Sequence, residues 1–175
     1  MQHDHRPFRN DIRSRIWIKL AVQSQNSKLS LDGKNPIALT KLSIMILEHV
    51  AIWTDNLEGL KDYYVKYFDA VANDKYINHS KHFESYFLRF ESGARLEIMK
   101  RPDIPDNRND TIHHQHKGII HLAFGVDSTA AVDDKAKQLQ RDGYPILSGP
   151  RRTGDGYYEF ETLDPDNNRL EVTTG

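Results

Sequence analysis

From residue 48 onward, apolar and polar positions alternate in blocks, and the order of blocks occurs twice. Residues 48–54 (Glu-His-Val-Ala-Ile-Trp-Thr) form a compact apolar run that predicts a buried strand. Asp55 and Asn56 supply helix-capping chemistry, and Leu57, Leu60, Tyr64 and Phe68 then fall on one helical face, with Tyr63 and Tyr67 beside it. A weak strand is expected near 71–77. Tyr86, Leu88 and Phe90 alternate with Phe87, Arg89 and Glu91, which is strand spacing. Ser92 and Gly93 make a turn, and residues 94–99 another strand. The second half repeats this order. Residues 119–126 predict a strand, and Asp127-Ser128-Thr129 caps a helix carrying Ala131, Val132, Ala136 and Leu139, closed by Gly143. Residues 144–147 predict a strand, followed by a basic turn. Strands at 156–163 and 169–173 flank a tight turn at 164–168. Each half therefore reads as βαβββ, and finding the unit twice indicates internal duplication.

The duplication also aligns chemistry. Glu48-His49-Val50-Ala51-Ile52 matches Ile120-His121-Leu122-Ala123-Phe124, and Arg95-Leu96-Glu97-Ile98 matches Arg169-Leu170-Glu171-Val172. His49 and Glu97 are 48 residues apart, and His121 and Glu171 are 50 apart. Two imidazoles and two carboxylates converging on one point suit a first-row divalent ion, so the expected cofactor is one Ni, Zn, Co, Mn or Fe ion per site. Four protein ligands leave two octahedral positions for two adjacent substrate oxygens. An ion there acts as a Lewis acid on an enediolate, and a neighbouring carboxylate can take a proton from carbon. Strand parity puts His49 on the face of Ala51 and His121 on that of Ala123, small residues that leave room. Arg95 and Arg169 share faces with Glu97 and Glu171, as candidates to orient them or to hold an anionic substrate.

Composition narrows this picture. There is no cysteine, so disulfides and thiolate ligands are excluded. The net charge of −1 and the ordinary apolar content give no sign of a nucleic-acid partner, and no apolar run reaches a membrane span. The first 44 residues stand apart, with eight Lys and Arg against three Asp, a net of +5 that leaves −6 on the other 131. Residues 16–22 are apolar but broken by Lys19, which argues against a secretory signal. Translation is expected to begin at Met45, with 1–44 a disordered or non-native extension; an organelle transit peptide is the other reading. The remaining domain, 45–175, divides into module one (46–100), a Pro-containing polar linker (101–117) and module two (118–174).

The paired motifs, with Gly93-Ala94-Arg95-Leu96-Glu97 and Asp164-Pro165-Asp166-Asn167-Asn168-Arg169-Leu170-Glu171, resemble the vicinal oxygen chelate superfamily: glyoxalase I, bleomycin- and fosfomycin-resistance proteins, extradiol dioxygenases and methylmalonyl-CoA epimerase. The resemblance spans residues 46–174. It implies an α+β fold in which two βαβββ modules form a curled mixed sheet around a metal-binding cup. The order His49, Glu97, His121, Glu171 looks like bacterial glyoxalase I, which places the base on the last strand, at Glu171, with Glu97 the second candidate. The implied function is a cytoplasmic, divalent-metal lyase or isomerase acting on a small substrate with vicinal oxygens, the thiol partner being glutathione or another thiol. Alternatives are an epimerase, dioxygenase or antibiotic-modifying thioltransferase on the same cup, and a non-catalytic protein that sequesters a small molecule. Family members commonly form homodimers, with modules paired within or between chains.

Two further segments carry candidate chemistry. Residues 151–158 place Arg151 and Tyr157 in a Gly-flanked loop where they can meet a substrate carboxylate or phosphate. The tract His113, His114, His116 and the pair His79, His82 lie in polar stretches without recurring carboxylates, and read as solvated loop.

Overall fold

The computed structural model describes residues 45–106 and 115–175. The expectations for residues 1–44, and for His113 and His114, lie outside the described residues. The first half runs β1 (His49–Trp53), α1 (Leu57–Phe68), β2 (Val71–Ala72), β3 (Tyr76–Asn78), a 3-10 turn (His79–Lys81), β4 (Phe83–Arg89) and β5 (Arg95–Lys100). The second runs β6 (His121–Gly125), α2 (Thr129–Arg141), β7 (Ile146–Arg152), β8 (Tyr158–Leu163) and β9 (Arg169–Thr174).

Both helices begin where capping chemistry places them. The Asn56 side chain accepts the Gly59 N–H at 3.1 Å, and Ser128 Oγ accepts that of Ala131 at 3.2 Å. The first sheet has the order β1-β5-β4-β2, with β3 also on β4, and the second β6-β9-β8-β7. In each, the first strand lies parallel to the last, and the others are antiparallel. This is the duplicated βαβββ fold, with neither sheet closed into a barrel.

Five elements differ from the sequence expectation. β1, expected to be buried, has exposed His49, Ala51 and Trp53 alternating with half-buried Val50 and Ile52, because one face of its sheet is open. The weak strand becomes two short pieces along one edge of β4, interrupted at Asn73, whose side chain and backbone both bond Phe87. β4 begins at Phe83, earlier than its clearest alternation. The expected basic turn after residue 147 is instead strand: β7 continues through Pro150 to Arg152, with two register shifts. An edge strand tolerates proline because its missing N–H has no ladder partner to lose. Gly149 is needed there, at φ +81°, because a Cβ would sit 2.5 Å from the Glu159 carbonyl oxygen. Finally, Ile119 is exposed, and β6 starts only at His121.

α1 buries more than one stripe. Leu57, Leu60 and Tyr64 are buried as its periodicity predicts, but Tyr63 and Tyr67 are buried too. The second module covers them. Tyr64 Oη donates to Asp164 at 2.9 Å, Tyr67 Oη to Asp142 at 2.5 Å, and the Tyr63 ring packs on Tyr144 with centroids 4.8 Å apart. Phe68 packs at a tilt on Phe124, and Phe90 meets it edge to face. The modules thus join through α1 and an aromatic seam. Each sheet turns one face to its own helix, Leu88, Leu96 and Ile98 in the first and Phe160, Leu170 and Val172 in the second.

Candidate metal centre in two halves

The faces away from the helices carry the paired residues. In β1 and β5 the register sets His49 opposite Arg95 and Ala51 opposite Glu97, so His49 and Glu97 share a face. His49 Nε2 lies 3.8 Å from Glu97 Oε2. The other ring nitrogen, Nδ1, donates to Glu48 Oε2 at 2.5 Å, and Arg95 pairs with that same carboxylate. A proton fixed on Nδ1 leaves the Nε2 lone pair free toward Glu97, the tautomer a metal ligand needs. The Phe87 ring meets His49 edge to face at 5.4 Å and lies under the Arg95 guanidinium at 4.1 Å.

The second module repeats the pair. His121 is opposite Arg169 and Ala123 opposite Glu171, with His121 Nε2 3.9 Å from Glu171 Oε2. Its surroundings differ. Across the β8–β9 ladder, Glu171 faces Glu161, with Glu159 one same-face step along. Glu161 is held by the buried Arg169, and Glu159 by Arg151 at 3.2 Å. Burial first, then the adjacent Glu159 carboxylate, raise the Glu171 carboxyl above its ordinary value, against the opposing pull of His121.

Each pair has the donor chemistry of half a divalent site. Ligand atoms about 2.0–2.2 Å from an ion at ordinary angles are about 3.0–3.5 Å apart. The observed 3.8 and 3.9 Å close to that by small side-chain rotations. The four residues expected to converge are two pairs. Among the described residues no group of three or more His, Asp or Glu is placed to hold an ion within one chain. About a third of each His side chain remains exposed, and both pairs lie on open sheet faces.

The other candidates are partly absorbed by local structure. Arg95 is bound to Glu48, and Arg169 to Glu161. Arg151 also donates to Ser148, and Tyr157 is exposed beside Gly175. His79 and His82 line a cleft of about 480 Å³ with Lys100 and Glu84, apart from both pairs, and His116 is exposed. Sequence reasoning missed Glu48, Glu159, Glu161 and Phe87. A signal existed for Glu161: it and Glu171 are equally far from the centre of the 164–168 turn, which makes them hairpin partners.

The sequence profile of the Glyoxalase/Bleomycin resistance protein/Dioxygenase superfamily matches residues 46–172. An uncharacterised protein of Bacillus subtilis, YqjT, is 35% identical over 63 residues, covering 34% of this chain and 49% of that protein. The chain thus matches about half the length of that relative. Among solved structures, a glyoxalase/bleomycin resistance protein/dioxygenase domain from Frankia sp. superposes with TM-score 0.63 at 17% identity, over 76% of this chain and 99% of that one. The trypanothione-dependent glyoxalase I of Leishmania major gives 0.60 at 18%, over 75% and 87%. A glyoxalase family protein from Enterococcus faecalis gives 0.58 at 24%, over 72% and 94%. At these identities the structural likeness is one of fold. Among the described residues no helix is long and apolar enough to cross a membrane.

Proposed function

The chain belongs to the Glyoxalase/Bleomycin resistance protein/Dioxygenase superfamily, and from that premise we propose that it is a divalent-metal lyase or isomerase of the glyoxalase I kind, completed by a second copy of itself. The observation that carries this is the pair of equivalent His–Glu half-sites, His49–Glu97 and His121–Glu171, each open on its own sheet face. In the completed site His49 and Glu97 of one chain join His121 and Glu171 of the other. A bound divalent ion supplies Lewis-acid polarisation of two vicinal substrate oxygens. The two carboxylates offset its charge, and the Glu48 carboxylate holds the His49 ring with Nε2 inward. Glu171 moves the proton, taking it from the carbon beside the carbonyl and returning it to the adjacent carbon.

Mixing His49→Ala and His121→Ala chains tests the exchange. Each variant alone is expected to bind Ni(II) or Zn(II) weakly. Mixed dimers are expected to regain one ion per two chains, because one of their two sites is intact. No regained binding after proven subunit mixing rejects the exchange. The reaction is tested with the methylglyoxal–glutathione hemithioacetal, whose metal-dependent turnover should fall at least about a hundredfold in Glu171→Gln. Bound metal without turnover would retain the site and discard glutathione chemistry. A protein that binds no metal would be a small-molecule carrier instead.

A further inference from the structure

The cleft of about 480 Å³ at the end of the first sheet draws on different residues from the His–Glu pair. Lys100, which lines it, shares its strand face with the buried Leu96 and Ile98, whereas Glu97 and Met99 are on the opposite face. Glu84 stands across the ladder from Lys100, and Lys75 ties it to Glu58 of α1, at 2.8 Å to each carboxylate. These two residues place the polar floor of the cleft on the helix side of the sheet. Its rim is the 3-10 turn His79–Lys81 with His82 after it. The Asn78 side chain fixes that turn, accepting the Lys81 N–H at 3.1 Å and the Ser80 hydroxyl at 2.8 Å. The His82 N–H closes it on the His79 carbonyl, and His82 takes a left-handed φ of +49°, which histidine adopts more readily than most residues. Charge in the cleft is unbalanced. Glu84 is the one carboxylate of the lining and is occupied by Lys75. Among the described residues no carboxylate pairs with Lys100, His79 or His82. Ile77, Phe83 and Pro102 supply the apolar walls.

We propose that this cleft is a second binding site, for a small organic phosphate monoester, with the phosphate held by Lys100, His79 and His82 and the organic body against Ile77 and Pro102. The ammonium and two imidazole N–H groups are point donors on separate stems, which suit a tetrahedral dianion. A planar carboxylate is matched better by the fork of an arginine. The arginine at hand, Arg101, is engaged elsewhere, 5.6 Å from the Trp53 ring and paired with Asp103 at 2.5 Å. Glu84, neutralised by Lys75, does not repel the dianion as a bare carboxylate would. The volume is that of a site for a small ligand. The proposal is independent of the metal reading, since no residue of the cleft belongs to either His–Glu pair.

Phenyl phosphate, inorganic phosphate and phenylacetate separate the contributions of body and anion. Each is titrated into the full-length chain by calorimetry. Phenyl phosphate is expected to bind about tenfold more tightly than either of the others. Lys100→Gln should weaken it about tenfold. His82→Asn keeps a residue that accepts the left-handed backbone while removing the imidazole, and should weaken it about fivefold. Lys81→Gln, on the same turn but outside the lining, and His49→Ala, on the opposite sheet face, should leave it unchanged. Phenyl phosphate that fails to bind, that binds Lys100→Gln and His82→Asn as well as the natural chain, or that is lost with His49→Ala overturns the proposal. Inorganic phosphate or phenylacetate binding as tightly as phenyl phosphate overturns it as well.

Discussion

The two open faces descend from one duplicated plan and have become different materials. Around Glu97 the first face is aromatic: Phe87 stands opposite it, and Trp53, Phe83 and Tyr76 continue beyond. Around Glu171 the second is ionic: Glu161 stands where Phe87 does, Glu159 replaces Ser85, and Arg151 and Arg169 hold them. The His–Glu pair is the same in both, within 0.1 Å in N–O distance. Duplication has kept the geometry of the pair and freed the walls. Side chains on the helix-facing side must satisfy packing in both copies. Those on the open side answer only to what occupies the cup.

The comparison can be broken most severely at Glu161. Glu161→Ala removes the carboxylate held by the buried Arg169 and should cost about 3 kcal/mol, read as a lower denaturation midpoint. Phe87→Ala, at the matching but half-buried position, should cost less. The second difference lies behind the histidines. His49 has Glu48 behind it, while His121 has Ile120 at that place. Glu48→Ala should weaken metal affinity about tenfold by freeing the imidazole, and Ile120→Glu should strengthen it, both read by competition with a chromogenic chelator.

A control away from both faces is the joint between modules. Tyr64→Phe removes the phenol that donates to buried Asp164 and should cost about 1 kcal/mol without altering metal affinity. Asp164 also offers a pH signature. Burial holds its carboxyl above the ordinary value despite bonds from Asn168, Tyr64 and Asp166. The folded state therefore takes up a proton before the unfolded state does. As pH falls from above the folded value toward the ordinary one, Asp164 costs the fold progressively less. The stability of the natural protein relative to Asp164→Asn should accordingly rise over that window, as urea midpoints at successive pH values would record. The smallest effect is expected at Glu58, whose carboxyl is drawn down to about 2 by Lys75 and Lys61 on an exposed surface. Glu58→Gln should cost only a few tenths of a kcal/mol, and less in high salt.

Much of this was legible in the chain. The matched segments gave both His–Glu pairs, because a strand's period of two assigns His49 and Glu97 to faces before any fold is known. α1 and α2 were legible from caps and apolar spacing. Tyr63 and Tyr67 were not, since a helix periodicity reports one buried face and cannot announce that a second module covers the flank. The continuation of β7 past residue 147 was hidden because Pro150 and its arginines read as a turn, and only an edge position excuses a proline. The separation of the four residues into two pairs was also hidden. Parity tells which residues share a face, but not whether the chain's other half closes over it.

The unlike walls have a stereochemical consequence. A cup built from two identical halves would have a twofold axis through its ion, and the two ends of a chelating group would be interchangeable. With Trp53 in one module and Gly125 in the other, and Phe87 matched by Glu161, that axis would survive only for the two His–Glu pairs. A ligand chelated between one half of each kind meets a ring on one hand and carboxylates on the other. In the site proposed above, its enantiotopic faces would thereby become distinguishable.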